Sequence, residues 1–137
     1  MTIGIIVATH GKSAKEMLNS VEMILGSQEK IETIDFIVGD GIDDLLQKYA
    51  GAKKALATEE LLILTDILGG SPFNAAYLFA SENREARVVT GVNIPMLIEA
   101  LSSRDYLPLD ELIEAVMATA KNSIVYREYE EENEDEF

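Results

Sequence analysis

Four short runs of aliphatic and branched residues, each followed by a longer stretch with apolar residues at helical spacing, constrain this chain more than any other feature of its sequence. Residues 3–8, IGIIVA, form the first run, and Thr9-His10-Gly11 follows it. A run this short and this uniformly apolar reads as a strand buried on both faces. Ser13 and Glu16 then stand in capping-box spacing, with Ala14, Met17, Leu18, Val21, Ile24 and Leu25 on one helical face until Gly26 ends it. The unit recurs: residues 31–38 give a second strand, Gly39-Asp40-Gly41 a turn, and Ile42, Leu45, Leu46, Tyr49 and Leu56 the stripe of a second helix. A third strand spans residues 61–65, and Asp66 and Gly69-Gly70 lead into a helix with Ser71 as its cap and Pro72 at its first position, where a missing N–H costs nothing. That helix runs to about Glu82. A fourth strand covers residues 86–90, Gly91-Val92-Asn93 leads into a helix over 94–102, and a last helix occupies 109–121.

Strands that alternate with helices predict an α/β fold with a doubly wound, mainly parallel sheet of four strands covered on both faces. Residues 124–129 read as one further strand, which either joins an edge of its own sheet or crosses to a second copy of the chain, removing an exposed edge from each. The 137 residues suit one domain, 1–129, followed by an acidic tail at 130–137 that reads as a solvated end. Net charge is −14, with six of the negative charges on that tail, so nucleic acid is not an expected partner. The chain has no cysteine, which removes disulfides and thiolate metal sites and agrees with a reducing compartment. MTIGIIVATHG carries neither a basic leader nor a long apolar stretch, and reads as a first strand rather than a signal peptide or a membrane span.

Ligands of open parallel sheets sit at the carboxyl ends of the strands. There the polar residues gather: Thr9-His10-Gly11 after the first strand, Thr65-Asp66 with Gly69-Gly70-Ser71 after the third, Thr90-Gly91-Val92-Asn93 after the fourth. One imidazole and no thiol supply a zinc site poorly, and no metal or other cofactor is expected. Serine hydrolysis would require Ser71 activated by His10 and Asp66, yet no G-x-S-x-G elbow surrounds it, and GGSP lacks the Gly-Lys-Ser ending of a nucleotide P-loop. Covalent phosphorylation of His10 fits better, because neutral imidazole is a good nucleophile near neutral pH and its phosphoramidate passes the group onward. Asp66 would then fix the ring tautomer and stabilise its cationic form, while amides at the Ser71-Pro72 helix start would receive the anion. Each residue also has a plain structural use: a histidine at a strand end as a hydrogen bonder, an aspartate as a helix cap, a glycine pair as a turn.

MTIGIIVATHGKSA, TDILGGSPFNAA and TGVNIPMLIEAL resemble, in order and spacing, three signature stretches of the enzyme IIA component of the mannose-type bacterial phosphoenolpyruvate-dependent sugar phosphotransferase system. The resemblance covers essentially the whole chain. It implies a cytoplasmic phosphotransferase component with His10 as the phosphorylated residue, Asp66 as its hydrogen-bonding partner, and Gly70 and Ser71 in the phosphate cradle. Thr65, Gly91 and Asn93 complete the implied site. The phosphocarrier HPr would supply the group, and a IIB component would accept it for a mannose-class sugar crossing the membrane through IIC and IID. A homodimer exchanging a C-terminal strand is implied as well, which would account for residues 124–129. Leu68 stands where many relatives have an aromatic residue, a departure at a partner contact. Because the chain ends in an acidic tail rather than an Ala/Pro-rich linker, its IIB is expected on a separate polypeptide. Two other readings share the fold: a related phosphocarrier for dihydroxyacetone phosphorylation, against which GGSPFN argues, and a flavodoxin-like module that binds without covalent chemistry.

Overall fold

A computed structural model describes residues 2–131. Its elements are β1 (Gly4–His10), α1 (Ser13–Leu25), β2 (Ile31–Phe36), α2 (Ile42–Leu56), β3 (Leu61–Thr65), α3 (Ser71–Glu82), β4 (Ala86–Thr90), α4 (Ile94–Ser103) and α5 (Leu109–Asn122). The four strands form one sheet in the order β2-β1-β3-β4, and every neighbouring pair is parallel. The chain therefore winds outward from β1 to β2, crosses back to β3 and continues to β4, which puts the reversal between β1 and β3.

Alternation along the two central strands divides the core. Ile5 and Val7 of β1 with Leu62 and Leu64 of β3 face α1, α4 and α5, meeting Leu18, Val21, Leu97, Leu112 and Val116. Ile6 and Ala8 with Leu61 and Ile63 face α2 and α3, meeting Leu45, Tyr49, Leu56, Ala75 and Phe79. Central strands apolar through Ala8 and through Leu64 are what a sheet covered on both sides requires, and each fully buried Leu or Ile contributes roughly 1.5–3 kcal/mol. The predicted doubly wound α/β fold is the one observed.

Several local expectations are corrected. β1 runs two residues past Ala8, because Thr9 and His10 continue the ladder opposite Asp35 and Phe36. β2 stops at Phe36, where Asp40 Oδ2 accepts from the Ile37 amide at 3.1 Å and folds residues 37–40 into a turn. Ser13 does not form the capping box with Glu16: Lys12 precedes the helix, and the Ser13 hydroxyl donates to the His10 carbonyl at 3.1 Å and lies 2.7 Å from Thr9 Oγ1. Gly70, not Ser71, is the N-cap of α3, and Ser71 and Pro72 are its first two residues. The final strand is absent within the single chain, since residues 124–130 take no regular secondary structure. Residues 132–137, the greater part of the acidic tail, lie outside the described residues.

Candidate functional site

His10 is the last residue of β1 and Asp66 the first after β3. Because these strands pair with Ala8 opposite Thr65, the two residues emerge side by side at the carboxyl end of the sheet, where its winding reverses. One carboxylate oxygen, Asp66 Oδ2, holds His10 twice, accepting from its backbone amide at 2.9 Å and from ring Nδ1 at 2.9 Å. The other, Oδ1, accepts from the Ile67 amide at 3.0 Å. Partial burial works to raise the Asp66 carboxyl, but the hydrogen bonds from the His10 amide and ring, together with the ring's charge, outweigh it and hold the pKa below the usual carboxylate value. An ionised carboxylate only accepts hydrogen bonds. Nδ1 therefore carries a proton, which in the neutral ring leaves the lone pair on Nε2.

The rest of the ring's surroundings keep Nε2 approachable. The His10 side chain is 44% exposed, against 22% for Asp66, so a macromolecular partner can reach it. Phe36, at the end of the neighbouring β2, stands edge-on to the imidazole with centroids 5.5 Å apart and planes at 88°. Gly11, at φ +66°, turns the chain away immediately after the ring while its amide donates to the Phe36 carbonyl at 2.7 Å. On the third side Gly70 passes so close that a Cβ there would lie 2.9 Å from Cε1 and 3.5 Å from Nε2. The absence of a side chain at Gly70 leaves room beside Cε1 and Nε2 of the ring.

Gly70 also begins α3. The first intrahelical bond runs from the Asn74 amide to the Gly70 carbonyl at 2.9 Å, so the amides of Ser71 and Phe73 precede it and find no helical acceptor; Pro72 has none to offer. Two free amides and the Ser71 hydroxyl thus lie on the turn that follows Gly70, with the positive end of the helix dipole behind them. The Asn74 side chain ties this turn to the Gly69 carbonyl at 3.0 Å, and Tyr49 from α2 donates to the Pro72 carbonyl at 2.7 Å.

The remaining predicted site residues occupy the same end of the sheet with hydrogen bonds directed elsewhere. Thr65 is fully buried and donates to Thr90 Oγ1 at 2.9 Å. Gly91, at φ +87°, makes the turn after β4, where the Val92 amide returns to the Thr65 carbonyl at 3.0 Å. Asn93 caps α4 by accepting from the Met96 amide at 2.9 Å, and its Nδ2 approaches the Ala120 carbonyl at 3.4 Å. The structure brings His10, Asp66 and Gly70 together, with Ser71 next in the chain. It gives Thr65, Gly91 and Asn93 no hydrogen bond to His10 or Asp66 among the described residues. Sequence reasoning passed over Phe36 as an ordinary strand residue, although strands of equal length in register would have set it opposite His10. No cluster of three or more His, Cys, Asp or Glu side chains suited to a metal ion occurs among the described residues.

Strand order and oriented ring together place the chain in the class of open α/β proteins that offer a carboxylate-held imidazole at the switch point of a parallel sheet. Within that class it belongs to the family described as PTS system fructose IIA component, whose model matches residues 4–117. The mannose-specific EIIAB component of the phosphotransferase system of Escherichia coli is 42% identical over 126 residues, an alignment that covers 90% of this chain and 39% of that protein. The chain thus spans about two fifths of that relative's length. The fructose-specific EIIA component of Bacillus subtilis is 37% identical over 122 residues, covering 88% of this chain and 84% of the relative. Among solved structures, the mannose/sorbose-specific IIA subunit from Enterococcus faecalis superposes with a TM-score of 0.87 at 29% identity, covering 96% of this chain and 98% of that one. No helix among the described residues is long and apolar enough to cross a membrane.

Proposed function

We propose that this chain is a phosphoryl carrier of the sugar phosphotransferase system, accepting the group from HPr on Nε2 of His10 and passing it to a IIB component during uptake of a mannose-class sugar. The observation that carries the reading is the 2.9 Å contact between Asp66 Oδ2 and His10 Nδ1, made where the lack of a side chain at Gly70 leaves the ring uncrowded at Cε1 and Nε2. Membership of the IIA family and relatives named for mannose, fructose and sorbose support it.

In the forward step the Nε2 lone pair forms a bond to phosphorus as the N–P bond of the donor phosphohistidine breaks, and the donor imidazole leaves with that electron pair. Nδ1 keeps its proton throughout. Positive charge that builds on the His10 ring is met by the ionised Asp66, and the spread charge of the transferring phosphoryl oxygens is met by the Ser71 and Phe73 amides and the Ser71 hydroxyl. Transfer onward reverses the bond changes with the acceptor as nucleophile. No lysine or arginine is required in the cradle, which leaves the bound phosphoryl group easy to release. Thr65, Gly91 and Asn93 serve the phosphate site indirectly, by fixing the ends of β3 and β4 beneath it.

Residues 124–129 complete a homodimer by adding to the outer edge of β4 in a second copy. That edge adjoins an apolar cavity of about 440 Å³, lined by Phe73, Val88, Met96, Ile113, Met117 and Ile124 among others. Ile124, Val125 and Tyr126 are each more than 70% exposed in the single chain. The protein works in the cytoplasm and reaches the membrane only through IIB and its IIC and IID partners.

Incubation with phosphoenolpyruvate, enzyme I and HPr tests the reading. Intact-mass spectrometry should find one acid-labile phosphoryl group per chain, absent from His10→Ala; a wild-type protein that gains no such mass would refute the carrier role.

A further inference from the structure

We propose that Tyr49 is a positioning residue for the phosphoryl site, its buried hydroxyl fixing the first turn of α3 through the Pro72 carbonyl. The inference rests on the carrier reading and extends it to a residue that touches no reacting atom.

Tyr49 lies in the middle of α2 and is fully buried, between Leu45, Ala52 and Leu56 on its own helix and the α3 side of the core. Its ring packs against Phe79 with centroids 5.8 Å apart. A phenylalanine would fill the same space. What the phenol adds is a polar atom in an apolar layer, a costly choice unless the hydroxyl is satisfied. It is satisfied by donating to the Pro72 carbonyl at 2.7 Å.

Pro72 stands between Ser71 and Phe73, whose free amides are the donors assigned to the phosphoryl oxygens. The turn that carries them needs an external restraint. It enters through Gly69, at φ +82°, and Gly70, and Pro72 contributes no N–H of its own. Its other ties are local: the Gly70 amide to the Ile67 carbonyl, the Asn74 amide to Gly70 and the Asn74 side chain to Gly69. All three lie within residues 67–74, the loop and turn themselves. The Tyr49 bond comes from another helix, itself packed on the sheet that carries His10, so of these four it is the one that anchors the donors from outside the loop. Burial, and secondarily the Asp66 charge, push the phenol well above its ordinary pKa, which keeps it a neutral donor. Preorganised donors act only at hydrogen-bond distance from the developing charge, and a displacement of a fraction of an ångström reduces their effect.

The test is steady-state phosphoryl transfer from phosphorylated HPr through Tyr49→Phe to a IIB acceptor, with Phe79→Leu as a comparison that loosens the same helix pair without touching Pro72. Removing one hydroxyl should lower kcat about 5- to 30-fold, the factor that one to two kcal/mol represents, and leave KM for HPr unchanged because the residue is inaccessible. Tyr49→Met, which also lacks the hydroxyl, should reproduce the loss and stands in if the phenylalanine variant folds poorly. Wild-type kcat in a folded Tyr49→Phe protein would overturn the proposal, as would an equal kcat loss in Phe79→Leu at matched stability. A wild-type protein that takes up no phosphoryl group would instead overturn the carrier reading, and Tyr49's role with it.

Discussion

Replacing Gly70 with alanine puts a methyl carbon 2.9 Å from Cε1 and 3.5 Å from Nε2 of His10, and 3.4 Å from the Ile67 carbonyl oxygen. The backbone accepts the change, since Gly70 has φ −73° and ψ 165°, an extended conformation open to any residue. The steric conflict is therefore with the imidazole. Carbon atoms rest about 3.5–4.0 Å apart, so the ring must retreat by roughly half an ångström or more. It can do so only by turning against Phe36 or by stretching the 2.9 Å bond to Asp66. A hydrogen bond to a charged group is worth about 1.5–3 kcal/mol, and if it is lost from the transition state the transfer rate falls about 10- to 150-fold. Because His10 is 44% exposed, the ring relieves the clash without unfolding its surroundings, and stability should stay within about 1 kcal/mol of wild type. Rapid-quench measurement of phosphoryl transfer from HPr, beside a thermal melt, separates the two effects. A natively folded Gly70→Ala that accepts the group at the wild-type rate would refute the idea that the space beside Nε2 belongs to the phosphoryl group.

Four further outcomes are expected. Asp66→Ala should slow transfer about a hundredfold through loss of tautomer control and of charge opposite the ring, as read in the same assay. Since the folded-state pKa of Asp66 lies below the ordinary value of an aspartate carboxyl, its stabilising contribution is complete above that ordinary value and is lost as the pH falls through the folded pKa; denaturant midpoints of Asp66→Asn should accordingly change less than wild type across that acid range. At the opposite end of the sheet the buried Arg104 donates to the carbonyls of Ile3, Glu29 and Lys30, so Arg104→Leu should destabilise by about 3 kcal/mol in urea titration while transfer per folded molecule stays unchanged. Leu68, 73% exposed on the loop after β3, should act in partner docking: Leu68→Asp should raise KM for HPr about tenfold with kcat and the melting temperature unaltered.

The architecture was legible because central strands buried on both faces leave a plain signature. The runs at 3–8 and 61–64 are apolar at every position and sit in the middle of the sheet, whereas helices α1 and α2 show the intermittent apolar spacing of one buried face. His10 and Asp66 were legible for a related reason: a parallel sheet collects its loops at one end, so polar residues after β1 and β3 converge once the strands are neighbours. Contacts between side chains distant in sequence were not. Nothing local to Tyr49 tells its stripe of apolar neighbours that its hydroxyl meets a carbonyl 23 residues away. Ser13 misled because its spacing to Glu16 satisfies a capping pattern, yet the tight Gly11 turn brings its hydroxyl to Thr9 and the His10 carbonyl instead. Residues 124–129 have the composition of a strand but no partner strand inside the single chain, and composition cannot supply one.

The account depends on Nε2 being the atom that takes the phosphoryl group while Nδ1 stays protonated against Asp66. Nitrogen-15 NMR of the imidazole after phosphorylation by HPr reads this directly. Phosphorus coupled to Nε2, with a protonated Nδ1, is the predicted spectrum; phosphorus on Nδ1, or a ring left unmodified while another residue carries the label, would contradict it.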